Sequence, residues 1–197
     1  MKKFNLILEN MTQDQTVDFI YKTYYETIKK TVDKIKTVKK TPITPALVLA
    51  IIMQESKGHP FASRYEPDFY KWLSARITGP EIAPFVKLQS KLTEMTSRST
   101  SYGLMQIMGQ TARECGFVGT FLPELTDIEV NIYYGLVYLE RLANRYTDLN
   151  DIIAAYNAGS AKKTELGNYR NQGYVNEVND KLFLFNKKFF NKEVESV

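Results

Sequence analysis

Apolar residues in the stretch 13–39 recur every three to four positions. Val17, Ile20, Tyr21, Tyr24, Ile28, Ile35 and Val38 fall near a 3.6-residue period, which predicts an amphipathic helix with one face on a core. Pro42 and Pro45 interrupt the pattern. Thr44 followed by Pro45 reads as an N-cap and first helical position, opening a helix over 45–57 that Gly58 stops. From Ala46 to Met53 this helix is apolar on every side, so it is expected at the centre of the fold. Residues 59–100 lose the periodicity. Pro60, Pro67, Gly79, Pro80 and Pro84 cut them into short pieces, with a short helix around Phe69, Tyr70, Trp72 and Leu73 and another over 85–95. Residues 96–102 read as loop. Regular helices then return: a short one over 111–115 closed by Gly116, a long one opened by the capping-box form Thr126-Asp127-Ile128-Glu129, one over 148–157 ended by Gly159, and a last one over 174–190. The long helix carries Ile128, Ile132, Leu136, Leu139, Leu142 and Tyr146 inward. The last one carries Tyr174, Val178, Leu182, Phe185 and Phe189. No alternating strand pattern stands out. The expectation is a mainly α protein: an N-terminal amphipathic helix (1–43) packed on a main domain (44–190) that holds an irregular insert lobe (about 60–100), and a C-terminal tail (191–197).

Composition narrows the chemistry. Hydrophobic residues make up 44% and charged residues 24%, an ordinary globular balance, and no apolar run is long enough to span a bilayer. The single cysteine, Cys115, excludes an internal disulfide and a thiolate zinc site, and the single histidine, His59, leaves a zinc hydrolase without ligands. No metal and no cofactor is therefore expected, and catalysis is pushed towards carboxylates. The net charge of +4 resides in residues 1–40, where nine lysines face five acids; the rest balances at seventeen of each sign. That basic stretch reads as a solvated helix face, and no nucleic acid is expected as partner. At the N-terminus, Asn5, Glu9 and Asn10 break up the apolar residues that a secretory signal needs.

One carboxylate has a distinctive setting. Gln54-Glu55-Ser56 follows eight apolar residues on one helix, so Glu55 is expected at the rim of the core, where partial desolvation favours the protonated form that a general acid needs. Three further segments follow in order: Ser101-Tyr102-Gly103-Leu104-Met105-Gln106-Ile107-Met108, then Ala154-Ala155-Tyr156-Asn157-Ala158-Gly159, then Gly173-Tyr174-Val175. With them the chain resembles the soluble lytic transglycosylases of the lysozyme-like superfamily, relatives of goose-type lysozyme, over about residues 44–180. The resemblance implies a lysozyme-like helical domain and an enzyme that cleaves peptidoglycan glycan strands. It makes Glu55 the catalytic acid/base. Substrate contacts would come from Met105, Gln106, Asn157 and Tyr174, with Ser56 in support and the Tyr156 hydroxyl approaching Glu55. Gly103 would let backbone approach a ligand, Met105 would offer a flexible apolar surface to a sugar face, and tyrosines supply an apolar plate with a polar tip. For Tyr174, core packing and substrate contact are both open.

Most glycosidases use two carboxyl groups. The candidates in the insert are Glu66, Asp68, Glu81 and Glu94, with Glu66 best placed at a cleft edge, either there or paired with an arginine. The resemblance removes the need for a second group. Glu55 would protonate the bond between N-acetylmuramic acid and N-acetylglucosamine, and the muramoyl C6 hydroxyl would close a 1,6-anhydro ring. Alternatives are a muramidase on the same fold, and a non-enzymatic wall-binding virion or secretion component. The 46 residues between Ser56 and Gly103, with their Arg64-Tyr65-Glu66-Pro67 stretch, resemble a phage or mobile-element variant. A monomer is expected, with delivery to the wall by a phage virion, a holin or a specialised secretion system.

Overall fold

The structure, a computed structural model, describes residues 10–35 and 42–190. The chain divides into two units, residues 1–58 with 136–197, and residues 59–135.

In the first unit, helix α1 (Gln13–Ile35) buries Val17, Ile20, Tyr24, Ile28 and Val32. Val32 replaces the expected Ile35, which is half-buried; Val38 lies outside the described residues. Helix α2 (Pro45–Ser56) begins as expected: Thr44 Oγ1 accepts from Leu47 N at 3.2 Å, with Pro45 in the first turn. Its residues Ala46 to Met53 are 0–6% exposed, and each Leu, Ile or Val so buried contributes about 1.5–3 kcal/mol. Lys57 ends the helix in the left-handed region (φ 53°). Gly58 follows at φ 83°, where a Cβ would stand 2.9 Å from Ile20 Cγ1. The Tyr24 hydroxyl donates to the Gly58 carbonyl at 2.9 Å, tying α1 to the end of α2.

The second unit begins with a small sheet. Strands β1 (Ser63–Tyr65), β2 (Thr100–Tyr102) and β3 (Ile107–Met108) pair antiparallel in that order, with Arg64 opposite Ser101 and Tyr102 opposite Ile107. The sequence pattern missed it because strands of two or three residues are too short to show alternation. Between β1 and β2 lie α3 (Pro67–Ser74), the short α4 (Gly79–Ile82) with a 3-10 turn after it, and α5 (Lys91–Arg98). The helix expected over 85–95 therefore starts later: Ser90 Oγ accepts from Thr93 N at 3.0 Å and caps α5. Leu73, Ile82 and Met95 form a satellite core under Phe69, Tyr70, Ile77 and Val86. Helix α6 (Gly109–Glu114) follows β3, and a 3-10 turn (Leu122–Thr126) leads into α7 (Ile128–Ala143).

Asp127, not Thr126, caps α7: its Oδ1 accepts from Glu129 N and Val130 N, while the Thr126 hydroxyl donates to Pro123 O. The last eight residues of α7 fall in the first unit. That unit continues with α8 (Leu149–Ala158), capped by Asp148 and closed by Gly159 at φ 71°. It ends with α9 (Gln172–Phe185), which packs along α2 and α8 and runs into a π turn over Asn186–Phe190. Among the described residues no helix is long and apolar enough to cross a membrane.

Candidate active site

Glu55 is the penultimate residue of α2 and is half-buried. The apolar body of the helix carries it to the edge of the core, and the Lys57–Gly58 turn stops the helix there. The hydroxyl of Tyr174, from the first turn of α9, donates to Glu55 Oε1 at 2.6 Å. Burial pushes the Tyr174 phenol far above its ordinary range; the Glu55 charge, the hydrogen bond to it, and the phenols of Tyr156 and Tyr138 push in the same direction. Tyr174 is thus a fixed donor at any working pH, able to orient a carboxylate and unable to act as a base.

The neighbouring side chains are mostly aromatic. Tyr156, on α8, is 8% exposed, and its ring centroid lies 5.4 Å from that of Tyr138. Tyr138, from the second half of α7, lies 3.4 Å from the Ala155 carbonyl through its hydroxyl. Tyr174 gives Glu55 a hydrogen bond that the resemblance did not assign. Tyr138 was missed, although it sits one turn from Leu142 on the inward stripe of its helix. Asn157 is exposed, and its Oδ1 accepts from Asn171 Nδ2 at 3.0 Å; the same amide group donates to Ala154 O. Ser56 serves the helix end, its hydroxyl donating to Ile52 O and accepting from Gly58 N, both at 3.2 Å.

The Gly-Leu-Met-Gln segment belongs to the second unit, where it is the turn joining β2 to β3. Gly103 takes φ 72°, and a Cβ there would meet Asn131 Nδ2 at 2.3 Å. The missing side chain makes room for Asn131, not for a ligand as expected. Asn131, fully buried on α7, donates to Tyr102 O (2.8 Å) and Leu125 O (2.7 Å) and accepts from Met105 N (2.8 Å). It organises the turn and went unnoticed in the sequence, where its signal is a lone amide beside the apolar stripe of α7. Met105 is corrected from a sugar contact to a core residue: it is 0% exposed and fills the space left by the missing Cβ of Gly135. Gln106 holds the left-handed region (φ 46°), uncommon for a non-glycine residue. Its amide is anchored internally, donating to Ala62 O (3.0 Å) and Gly103 O (2.9 Å) and accepting from Ser101 Oγ (2.9 Å). Any sugar contact by Gln106 is narrowed to its remaining acceptor capacity.

The other candidate carboxylates have structural partners. Glu66 Oε1, itself shielded from solvent, lies 2.5 Å from Nε of the exposed Arg64. Glu94 is 0% exposed between two buried arginines. Its Oε1 accepts from Arg98 Nε (2.7 Å) and Arg113 Nε (3.0 Å), and its Oε2 from Gln89 Nε2 (2.8 Å). The Arg113 guanidinium also lies 3.7 Å from the Phe85 ring centroid. This cluster holds the insert together. His59 Nδ1 accepts from Phe61 N in a turn. Among the described residues no group of three or more His, Cys, Asp or Glu is arranged to hold a metal ion.

Comparison with curated proteins and with solved structures finds no match. The family model described as "Transglycosylase SLT domain" matches residues 34–178, a span that takes in Glu55, the Gly103 turn, Tyr156 and Tyr174 and covers most of the chain. The helical architecture with its small sheet is that of a lysozyme-like fold. The chain belongs to the transglycosylase SLT domain family and is an enzyme of the peptidoglycan lytic transglycosylase type.

Proposed function

We propose that Glu55 is the single general acid/base of this enzyme, which cleaves the β-1,4 bond between N-acetylmuramic acid and N-acetylglucosamine and leaves a 1,6-anhydro ring on the muramoyl product. The observation that carries the reading is the 2.6 Å hydrogen bond from Tyr174 Oη to Glu55 Oε1, on a carboxylate at the end of a buried helix.

Glu55 first gives its proton to the glycosidic oxygen, which leaves with the N-acetylglucosamine side. As carboxylate it then removes the proton from the C6 hydroxyl of the muramoyl sugar, whose oxygen bonds to the anomeric carbon. The proton returns to Glu55 and no water is consumed. Because the nucleophile is part of the substrate, its effective concentration is high without a second carboxylate. This fits the arginine partners of Glu66 and Glu94. Tyr156 and Asn157 flank the site as sugar contacts, while Ser56 holds the helix end that presents it. In this reading residues 44–190 carry the chemistry, residues 1–43 add a supporting helix, and a monomer suffices.

Mass spectrometry of fragments released from purified peptidoglycan tests the reaction. The expected muramoyl products are lighter by one water than those of a hydrolase. Hydrated reducing ends would make the protein a muramidase.

A further inference from the structure

Two consecutive residues at the end of α2 are each gripped by α9. Tyr174 donates to Glu55 at 2.6 Å, and Gln54 Nε2 donates to Glu177 Oε2, also at 2.6 Å. Gln54 and Glu55 point about 100° apart around their helix axis, whereas Tyr174 and Glu177, three apart, share one face of α9. A single bond would let the last turn of α2 rotate about its contact. Two bonds at different azimuths remove that freedom. The turn needs such a hold because the helix stops at once: Lys57 is already left-handed. Stability alone gives little reason for a carboxylate at position 177. Its side chain is 60% exposed, and Lys181 Nζ is 3.9 Å away, a surface pair of small energetic value.

We propose that Glu177 is a positioning residue: through Gln54 it fixes the rotation of the last turn of α2 and so aims Glu55 at the scissile bond. This rests on the reading of Glu55 as acid/base. That role demands tight aim, because one carboxyl must serve the leaving oxygen and then the C6 hydroxyl.

The test is steady-state kinetics on purified soluble glycan strands with E177A, E177Q, Q54A and the double variant Q54A/E177A, using E55Q as control. E177A should lower kcat about tenfold with KM within about twofold, as expected for a misaimed group that does not bind substrate. E177Q keeps an acceptor oxygen for Gln54 and should recover kcat to within about threefold of the parent, since the hydrogen bond survives the loss of charge. The double variant should be no slower than the slower single one, because both break the same contact. Melting temperatures should not follow the rates. Parental kcat in E177A, equal losses in E177A and E177Q, or rates that track melting temperature would each overturn the proposal. If E55Q is inactive and E177A is not impaired, only the positioning role falls. If E55Q stays active, the acid/base reading falls and takes this one with it.

Discussion

Replacing Tyr174 with phenylalanine removes one hydroxyl from the site and keeps the ring that packs there. The lost bond is short, 2.6 Å, and ends on a half-buried carboxylate. A hydrogen bond to a charged group contributes about 1.5–3 kcal/mol. Water reaching the half-buried side chain restores part of this, leaving a net loss of about 1.4 kcal/mol, about a tenfold effect. The sign is fixed by which form the bond favours. The phenol donates to the carboxylate and stabilises it over the acid, so its removal raises the pKa of Glu55. The alkaline limb of kcat/KM reports the group that must be protonated in the free enzyme. In Y174F that limb should move up, while kcat at the optimum falls because the carboxyl has lost an orienting donor. Clearing of a peptidoglycan suspension between pH 4 and pH 9, with initial rates fitted at each pH, measures both. An alkaline limb that stays put or moves down would refute the reasoning.

Two further outcomes concern stability. Glu94→Ala leaves the Arg98 and Arg113 side chains buried and uncompensated, and should cost about 3–5 kcal/mol, measured as a lower urea midpoint. Burial pushes the Tyr24 phenol up to about 12 from an ordinary 10.0, so the folded state holds a proton there that the unfolded chain gives up. The resulting stabilisation is complete below pH 10 and lost as pH rises through 12, with a ceiling of about 2.7 kcal/mol. Denaturation midpoints of Y24F should therefore fall less steeply than those of the parent across that window.

Much of the helical frame was legible because its signals are local. Thr44-Pro45 and Asp148 mark helix starts, Gly58 and Gly159 mark ends, and the uninterrupted apolar run from Ala46 to Met53 marks the centre. Glu55 stood out for the same reason, as the first acid after that run. What escaped depends on contacts between segments far apart in sequence. The three strands are too short to carry a period. Asn131 is a polar residue whose purpose appears only when the Gly103 turn folds around it. Met105 and Gly103 were read as ligand-facing because flexibility and a missing Cβ suit a sugar site, yet the same properties suit a tight turn packed on a helix. Tyr174 had two readings, core packing or substrate contact, and neither named its hydrogen bond to Glu55, a contact between residues 119 apart in sequence.

The central claim is that the chemistry passes through the carboxyl of residue 55. Glu55→Gln keeps the size of the side chain and an acceptor oxygen for the Tyr174 hydroxyl, while removing the proton that catalysis moves. The direct measurement is release of muramoyl fragments from purified peptidoglycan by E55Q, alongside its melting curve. The account predicts a parental melting curve with release reduced at least about a thousandfold, the scale expected when an essential acid/base is removed. Release at the parental rate by a folded E55Q protein would contradict it.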